Sequence, residues 1–545
     1  MAKNVYIAAV GLTKVDLTGR IFSTVFDLFA EAYRKAIEDS SIRTFDAVQV
    51  GIMDSEEFEN RANIATKIAD RLGLTGIPAV RSETASSTGA AALHEAYYKI
   101  ASGEFEAVLV LAGERMKTVT TEVATTIMSK TVDPEERRFG FTMPALIALI
   151  TQAWMREQRV RSGDVSKVLA RLMHRAHALG SDNPLAAFYG KPEPVEGYFD
   201  TSKNLPVATP LLRKDCSPIC DGAAAVILTA RPQAVRIAGL GSATETSSIL
   251  DRQNLTGLDA THQAARIAYW RAGIAEPRRL EGPVVEIHDA FNSLLPIGAV
   301  DLGLVDADEA VEALVGDLRS DPASPYKNPS TGPHGRMPVN LSGGLKARGH
   351  PVGGTGLFQI AENYLQITGR APNARAQVPD ARIGISNSVG GPGNNNYVTI
   401  IEKSDSRRRR DVVPEPRHRF ESPQRRPPRP ATTGLDGLQA TVEAATTIFV
   451  TGRGHEPAHV ALLNIDGRRV FARLDHAPRH GEPPERVLAG QKVRLLVKGD
   501  GDHYFHIARG RGIDLSRVVQ SIRRRVSGDA PEGDPEPAED PDSPR

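Results

Sequence analysis

The chain repeats one order of predicted strands and helices in two halves, and this duplication limits the possible fold more than any other feature. Each half begins with a short β-branched strand that ends in glycine, Val5–Gly11 in the first and Val235–Gly241 in the second. A helix, a second strand, a glycine-led helix and a closing strand follow in each half. Two similar βαβ-type halves are the simplest explanation, so we expect an α/β protein. The later segments are 24–39, 46–51, 89–101 and 107–112 in the first half, and 261–273, 283–288, 353 onward and 382–387 in the second.

Composition excludes several classes of function. With 545 residues the chain is too long for one ordinary core, and 40% hydrophobic and 24% charged residues at net charge +1 are typical of a soluble globular protein. This balance predicts neither a nucleic-acid partner nor an anionic membrane partner. We expect a cytoplasmic protein, because no apolar run could span a bilayer and the start lacks a signal-peptide core. The two cysteines, Cys216 and Cys220, fit a reducing compartment and cannot complete a metal site, so we expect no metal.

Changes in composition divide the chain into segments. The two halves span 1–232 and 233–403, and the first contains an insertion at about 117–215 that is more typical of a substrate-covering lid than of a connection. The arginine and proline content of 404–434 predicts an extended linker. The acidic, proline-rich segment 516–545 predicts a disordered tail.

Residues 435–515 carry the pattern of a small all-β domain. Asp466-Gly467 is a strong hairpin turn signal between two of its predicted strands. Several short strands in so small a region favour an OB-like barrel. The predicted strands are 439–450, 459–465, 468–474, 492–498 and 503–508.

Ser86 lies in a short polar turn that opens the helix at Gly89. A small residue on a tight turn at a helix N-terminus is one way in which proteins present a nucleophile, because the helix dipole favours an anion there. The same residue type is also the ordinary N-cap of a helix. The turn alone therefore leaves a catalytic and a structural interpretation open.

Four segments taken together resemble the thiolase superfamily, and most closely its sterol-carrier-protein-type branch. Their order and spacing extend over about 400 residues, whereas each segment alone is a weak signal. The resemblance implies a five-layered αβαβα fold built from two similar halves, a homodimer, and a substrate carried as a coenzyme A thioester with no permanently bound cofactor. The segments are Thr84-Ala-Ser-Ser-Thr-Gly89 with Gly113-Glu-Arg-Met116, Lys214-Asp-Cys-Ser-Pro-Ile-Cys-Asp-Gly-Ala-Ala-Ala225, Glu286-Ile-His-Asp-Ala-Phe-Asn292, and Gly349-His-Pro-Val-Gly-Gly-Thr-Gly356 with Asn387-Ser-Val-Gly-Gly391.

Residue roles follow from the resemblance position by position. The family's nucleophilic cysteine falls on Ser86, and the histidine that activates it falls on His350. His288 would bind the thioester carbonyl oxygen as part of an oxyanion hole. The second cysteine of the family, which moves a proton on the α-carbon, falls on Ser388.

The resemblance also assigns a role to the glycine-rich turn at Gly390 and Gly391 and draws attention to Ala290. Gly390 and Gly391 would supply a backbone N–H that faces the reacting carbonyl. In the sterol-carrier branch a cysteine can instead follow His-Asp, but this chain has Ala290 there. The family therefore implies two thiols at positions where this chain has none.

The loss of both thiols restricts the chemistry. A serine hydroxyl must pass its proton to a base during attack, and His350 could be that base, so an acyl-serine intermediate is reasonable. Ser388 is a poor acceptor of a carbon-bound proton at neutral pH, which disfavours ordinary Claisen chemistry. The retained histidines and glycine turn still favour stabilisation of an oxyanion.

Three functions remain open, and the first is our principal hypothesis. It is an acyltransferase that works through Ser86 on acyl-CoA thioesters. The second is a thiolase-like aldolase that acts on a β-hydroxyacyl-CoA without a covalent intermediate; steroid side-chain aldolases of this fold also lack the cysteine, but tend to carry tyrosines where this chain keeps both histidines. The third is a non-catalytic scaffold subunit. An engineered serine at position 86 is a further explanation, disfavoured because Ser388 and Ala290 would need explaining too.

The C-terminal unit resembles the OB-fold domains that accompany thiolase-like enzymes. In that family such domains are often separate chains and often carry a zinc ribbon. Here the unit is fused, and the cysteines of a ribbon are absent. The resemblance implies that it covers the acyl tunnel or binds a further thiolase-like or OB-fold partner.

Overall fold

Strands and helices alternate through residues 6–403, as the duplication predicts. The structure, a computed structural model, describes residues 3–406, 408, 410–416, 435, 437–449, 458–474, 489–497 and 503–507. All of these except Ile507 belong to one compact unit, Met1–His506. The predicted tail at 516–545 and residues 417–434 of the predicted linker lie outside the described residues.

The strands and helices have the following bounds. The strands are β1 (Tyr6–Leu12), β2 (Ala47–Gly51), β3 (Ala79–Ser82), β4 (Ala107–Arg115), β5 (Pro206–Ala208), β6 (Leu211–Leu212), β7 (Asp221–Thr229), β8 (Val235–Thr244), β9 (Pro283–Glu286), β10 (Ile383–Gly390), β11 (Asn395–Lys403), β12 (Gln439–Ile448), β13 (Ala458–Ile465), β14 (Arg468–Leu474), β15 (Lys492–Val497) and β16 (His503–Ile507). The helices are α1 (Val25–Glu38), α2 (Ser55–Glu59), α3 (Ile64–Arg71), α4 (Thr88–Ala101), α5 (Thr121–Ser129), α6 (Pro134–Arg138), α7 (Met143–Glu157), α8 (Val165–Gly180), α9 (Asp259–Ala272), α10 (Leu294–Asp301), α11 (Ala310–Val315), α12 (Gly344–Ala347) and α13 (Thr355–Ile367).

The two halves meet in one mixed sheet. Within the described residues its strand order is β3-β2-β4-β7-β1-β8-β11-β10-β9, so the first half supplies β1–β4 and β7, and the second supplies β8–β11. The halves join where β1 pairs with β8 through Tyr6–Arg236 and Ile7–Val235. The predicted duplication is therefore present as two sets of strands, one from each half, that join through the β1–β8 pair.

Helices cover the sheet in layers. Helix α1 packs on β1, β4 and β7 of the first half, and α9 packs on β8 and β11 of the second. Helices α4 and α13 pack against each other and touch strands of both halves, so they form the middle layer. The predicted α/β architecture is confirmed, with helices packed on a mixed sheet.

The predicted small β domain is present as a barrel. Strand β12 pairs with both β13 and β15, and the remaining neighbours are β13–β14, β14–β16 and β16–β15, so the five strands close on themselves. The turn residues Asp466 and Gly467 have φ values of 49° and 84°, as a hairpin turn with two left-handed residues requires. The hairpin prediction is confirmed.

The barrel packs directly on the insertion of the first half. Strand β5 pairs with the end of β12 at Ala208–Ile448, which extends the barrel sheet onto the β5–β6 hairpin. The Phe141 ring lies 4.6 Å from the Phe471 ring, between ring centroids. Arg156 of α7 donates to the Glu443 carbonyl oxygen at 2.9 Å. The insertion therefore forms the surface of the first half on which the barrel packs.

The first residues of the predicted linker lie against α9. Arg408 donates to the carbonyl oxygens of Ala272 and Gly273, at 2.6 and 2.7 Å, at the end of that helix. The Asp411 amide donates to the same Gly273 oxygen at 3.1 Å.

Among the helices in the described ranges, none is long and apolar enough to cross a membrane.

Candidate active site

Two helices meet at their N-termini in the middle layer. A 3₁₀ turn, Ala85–Ser87, leads into α4, and a second one, Val352–Gly354, leads into α13. The two turns touch each other. Because Ser86 lies in the first turn and His350 shortly precedes the second, the two halves bring both residues to one place, where two helix dipoles favour negative charge.

The turn at Ser86 leaves its hydroxyl free. Ser86 is 8% exposed, and its Oγ makes no hydrogen bond to the residues that the structure describes. The neighbouring Ser87 instead holds the turn, since its Oγ lies within hydrogen-bonding distance of the carbonyl oxygens of Thr84, at 2.8 Å, and Asn395, at 3.0 Å. Ala85 has a φ of 53°, a left-handed conformation that costs a non-glycine residue about 1–2 kcal/mol. Such strain is typical of functional turns.

His288 and His350 form a perpendicular pair. Their ring centroids are 5.2 Å apart with an interplanar angle of 89°. The Nδ1 atom of His350 lies 2.6 Å from Thr355 Oγ1, and that hydroxyl donates to the Pro351 carbonyl oxygen at 3.2 Å. With the hydroxyl proton engaged, Nδ1 is the donor in this contact, which assigns the free electron pair of His350 to Nε2.

Both imidazoles are neutral. Burial, and then the nearby Arg348 charge, lower the pKa of His350 to about 3. Burial lowers the pKa of His288 well below its ordinary value, with smaller effects of His350 and Arg348. Since neither ring carries a charge near neutral pH, each can accept one hydrogen bond and donate another.

Several buried polar atoms near the motif histidines have no hydrogen-bond partner. In the described part of the chain, the buried side-chain atoms without a partner include Nδ1 of His288, Oγ of Ser388 and Nδ2 of Asn387, as well as the guanidinium nitrogens of Arg348. Ser388 and His288 each lie two residues beyond the registered pair Ser386–Glu286 on adjacent parallel strands. Buried polar groups are usually satisfied, so the unsatisfied atoms of His288 and Ser388, which lie near the ends of two adjacent strands, indicate a place for a polar ligand.

The glycine-rich turn reaches the same place. A Cβ on Gly390 would lie 2.5 Å from both the Thr84 carbonyl oxygen and Ser87 Oγ, so this residue packs directly on the Ser86 turn. A Cβ on Gly356 would lie 2.7 Å from Ser388 Oγ, which places Ser388 against the start of α13. Gly391 lines a polar cleft of about 490 Å³ together with Ala85. Gly390 therefore lies against the Ser86 turn and Ser388 against the start of α13, while Ser86, His288, His350 and Ser388 are not among the residues that line this cleft.

The cysteines serve the scaffold of this site. Cys220 is fully buried, and its Sγ accepts from the His350 backbone N–H at 3.2 Å. Burial raises the pKa of both Cys216 and Cys220 to about 12, so both are thiols. At the position where a branch of the family would carry a cysteine, Ala290 is buried and its carbonyl oxygen accepts from Ser217 N–H at 2.8 Å. Within the described ranges, no cluster of three or more His, Cys, Asp or Glu side chains could hold a metal.

Sequence reasoning assigned no role to two buried residues near the histidines. Glu114 is fully buried and contacts the turn after His350, and Arg348 is buried over the Phe358 ring at 4.8 Å. Both lie in or beside the motifs quoted above, but only the fold reveals what they face.

Sequence comparison places the chain among known proteins. A family profile described as the thiolase N-terminal domain matches residues 5–167, and one described as thiolase C-terminal domain-like matches residues 241–403. An acetyl-CoA acetyltransferase of Methanothermobacter thermautotrophicus is 34% identical over 408 residues, which cover 73% of this chain and 99% of that protein.

Solved structures have the same fold. A monomeric SCP2-thiolase-like protein type 1 from Mycobacterium smegmatis matches 93% of this chain and 99% of its own with a TM-score of 0.65 and 19% identity. A structure described as the Ltp2–ChsH2(DUF35) aldolase matches 74% of this chain and 99% of its own with a TM-score of 0.59 and 19% identity. At 19% identity, these two matches show that the fold is shared and show nothing about activity.

Proposed function

Because this chain belongs to the thiolase family, we propose that it is an acyltransferase that acts on acyl-CoA thioesters through Ser86. The observation that carries the proposal is the neutral, perpendicular pair of His288 and His350, together with the contact between the turn that holds Ser86 and the turn that follows His350. An oxyanion needs an N–H donor, which His288 would supply. A serine nucleophile needs a base that takes its proton, which His350 would supply.

The proposed reaction has two steps. Ser86 Oγ attacks the thioester carbonyl carbon while His350 Nε2 takes the hydroxyl proton, and the carbonyl oxygen becomes an oxyanion bound by an N–H of His288 and a backbone N–H of the turn at Gly390–Gly391. When the tetrahedral intermediate collapses, the carbon–sulfur bond breaks and the coenzyme A sulfur receives the proton from His350. An acceptor then takes the acyl group from Ser86 by the reverse sequence. Removal of one oxyanion donor from such a site costs about 3–4 kcal/mol of transition-state stabilisation.

We further propose that Ser86 and Ser388 occupy the places of the two cysteines of the family. The free hydroxyl of Ser86 in a strained turn supports the first assignment. The unpartnered Oγ of Ser388 beside the start of α13 supports the second. Because neither hydroxyl ionises near neutral pH, transfer of an acyl group is better supported than removal of a proton from carbon.

Intact mass measurement tests the nucleophile. After incubation with acetyl-CoA, we expect the wild-type chain to gain the mass of one acetyl group, and Ser86→Ala to gain none. Ser102→Ala, at the exposed end of α4, is the matched control and should keep the adduct. His350→Ala should slow adduct formation at least 100-fold, because a serine nucleophile depends on its base. An adduct that survives in Ser86→Ala would refute the assignment.

A second candidate is a thiolase-like aldolase, and the barrel favours it. The fold neighbour described as the Ltp2–ChsH2(DUF35) aldolase pairs a thiolase-fold protein with a partner, and this chain carries its own fused barrel. The two candidates predict different products. Turnover of a β-hydroxyacyl-CoA by Ser86→Ala at the wild-type rate, without an adduct, would favour the aldolase. If neither reaction occurs and the protein binds another thiolase-like chain, the scaffold function holds.

We infer that the barrel is an OB-fold domain. The barrel contains five strands in the order β12-β13-β14-β16-β15, and the β14–β16 pair is parallel. We also propose a homodimer for the thiolase part, although the fold neighbour that covers 93% of this chain is described as monomeric. Sedimentation of the full chain at micromolar concentration decides between one and two copies.

A further inference from the structure

Glu114 is a buried carboxylate that the proposed reaction does not use. It lies on β4 and is fully buried, and within the described residues its hydrogen bonds are accepted from backbone N–H groups: Met53 N at 2.8 Å and Gly353 N at 3.2 Å on Oε2, and Asp54 N at 3.3 Å on Oε1. Gly353 lies in the 3₁₀ turn that follows His350. One carboxylate therefore connects a loop of the first half to the histidine turn of the second.

The loop that Glu114 holds is fixed from its other side by Arg81. The Arg81 guanidinium donates to the carbonyl oxygens of Ile52, at 2.9 Å, and Met53. Arg81 lies on β3 in the strand that leads into the Ser86 turn. A continuous chain of hydrogen bonds thus runs from the strand before Ser86, through residues 52–54 and Glu114, to the turn after His350.

The packing around Gly353 leaves the two turns little freedom. A Cβ on Gly353 would lie 2.5 Å from Glu114 Oε2 and 2.8 Å from Met53 N. A Cβ on the adjacent Gly354 would lie 3.0 Å from the Gly113 Cα. The strand that carries Glu114 therefore abuts the turn so closely that glycine is needed for the hydrogen bond to form.

We propose that Glu114 is a positioning residue that sets the distance between the Ser86 turn and the His350 turn. Burial raises the pKa of Glu114, whereas the three N–H donors lower it, and because they engage both side-chain oxygens they favour the ionised carboxylate. Arg81 is the nearby cation that also favours the carboxylate. The catalytic part of this proposal rests on the proposed acyl transfer, whereas the geometric part does not.

Two variants test it from opposite sides of the contact. Glu114→Gln keeps the shape but leaves only one acceptor oxygen for three N–H groups. Gly353→Ala keeps the carboxylate and inserts a methyl group into the contact. Glu402→Gln, a buried carboxylate paired with Arg236 and Arg408 outside the site, is the control for loss of a buried charge. Gly163→Ala, where an added Cβ meets nothing within 4 Å, is the control for the glycine substitution.

Two measurements separate positioning from mere stability. With ¹⁵N-histidine labelling, we expect the ring signals of His350 to shift in Glu114→Gln and in Gly353→Ala, and to stay at the wild-type position in both controls. At saturating acetyl-CoA we expect acyl-adduct formation to slow about 100-fold, as for a misplacement of about 1 Å, with the half-saturating concentration changed by less than about threefold. The double variant should slow it by less than the product of the single effects, because the two residues share one contact.

The outcomes are distinguishable. If the wild type forms no adduct, acyl transfer through Ser86 fails, and the histidine signals still decide the geometric proposal. If the His350 signals in both test variants match the wild type, Glu114 is a structural residue only and the inference is overturned. The same conclusion follows if the wild type is active and both variants keep at least half of its rate.

Discussion

Gly89 and Gly356 lie at the crossing of the two central helices, and each leaves no room for a side chain. A Cβ on Gly89 would lie 2.7 Å from Leu357 N, and a Cβ on Gly356 would lie 2.6 Å from Ala90 N. This crossing brings the N-termini of α4 and α13 together, and with them the Ser86 and His350 turns. The crossing of these two helices therefore helps to hold the Ser86 turn against the turn after His350.

Gly356→Ala should destabilise the protein by about 1–3 kcal/mol, because an inserted methyl group forces the helices apart. The same methyl group would lie 2.7 Å from Ser388 Oγ, so we also expect loss of acyl transfer. Urea denaturation at pH 7.5 measures the change in unfolding free energy. Gly163→Ala should stay within about 0.5 kcal/mol of the wild type; equal effects of the two variants would contradict the packing argument.

Ser86→Cys should create the most reactive thiol of the chain. A thiol at a helix N-terminus has a lowered pKa, whereas burial holds the pKa of Cys216 and Cys220 at about 12. We expect iodoacetamide at pH 7 to label residue 86 at least tenfold faster than either native cysteine, as measured by peptide mass mapping. Ser388→Cys is the control, because residue 388 is 1% exposed and should label slowly. Equal labelling at positions 86 and 388 would show that the turn does not present its side chain.

Much of this fold could be predicted from the sequence because its signals are local. Periodicity and glycine position predicted α4, α13 and the strands around them, and Asp466-Gly467 predicted the hairpin. Ser86, His288 and His350 were found only through their place in a family pattern, since each alone is a common structural residue. The structure pairs the two histidine rings and brings the Ser86 turn into contact with the turn after His350.

The contacts between distant segments could not be predicted in this way. Nothing in the sequence around Glu114 indicates that its carboxylate meets the N–H of Gly353, 239 positions away. The lid-like insertion was expected, but its role as the surface on which the barrel packs depends on the pairing of Ala208 with Ile448 and on ring contacts that no periodicity encodes. Long-range pairing depends on the whole fold, and the sequence pattern reports only one element at a time.

Acid should destabilise the protein through its buried histidines. The folded-state pKa values of His94 and His350 are about 3, below the ordinary value of 6.5, so the stability that these neutral rings contribute is present above pH 6.5 and is lost as the pH falls towards 3. At pH 5 each ring should have cost about 2 kcal/mol of unfolding free energy relative to pH 7.5. Urea denaturation of His94→Gln at both pH values should show a loss smaller than that of the wild type by about this amount.

His94 also provides a control for the catalytic role of His350. His94 Nε2 of α4 lies 2.9 Å from Thr399 Oγ1 of β11, away from the motif residues, and a glutamine can keep that contact. We expect His94→Gln to form the acyl adduct at the wild-type rate, while His350→Gln loses it, although both variants flatten the pH dependence of stability. If His94→Gln abolished the adduct as well, the loss in His350→Gln would reflect general destabilisation rather than a missing base.

Loss of the Phe141 ring should destabilise both the insertion and the barrel, because this ring contacts Phe471 of the barrel. Each ring is 1% exposed, and Phe141 precedes α7, whose Arg156 bonds the barrel backbone. Phe141→Ala should cost about 3–5 kcal/mol. Phe29→Ala, fully buried under α1 in a separate core, should cost a similar amount. If the barrel packs on the insertion through Phe141, only Phe141→Ala should speed amide hydrogen exchange in both α7 and β12, at least tenfold, under conditions where global unfolding is negligible. Equal protection of α7 in the two variants would contradict the prediction. It would mean that the insertion keeps its structure without the contact to the barrel, so that the two would fold independently.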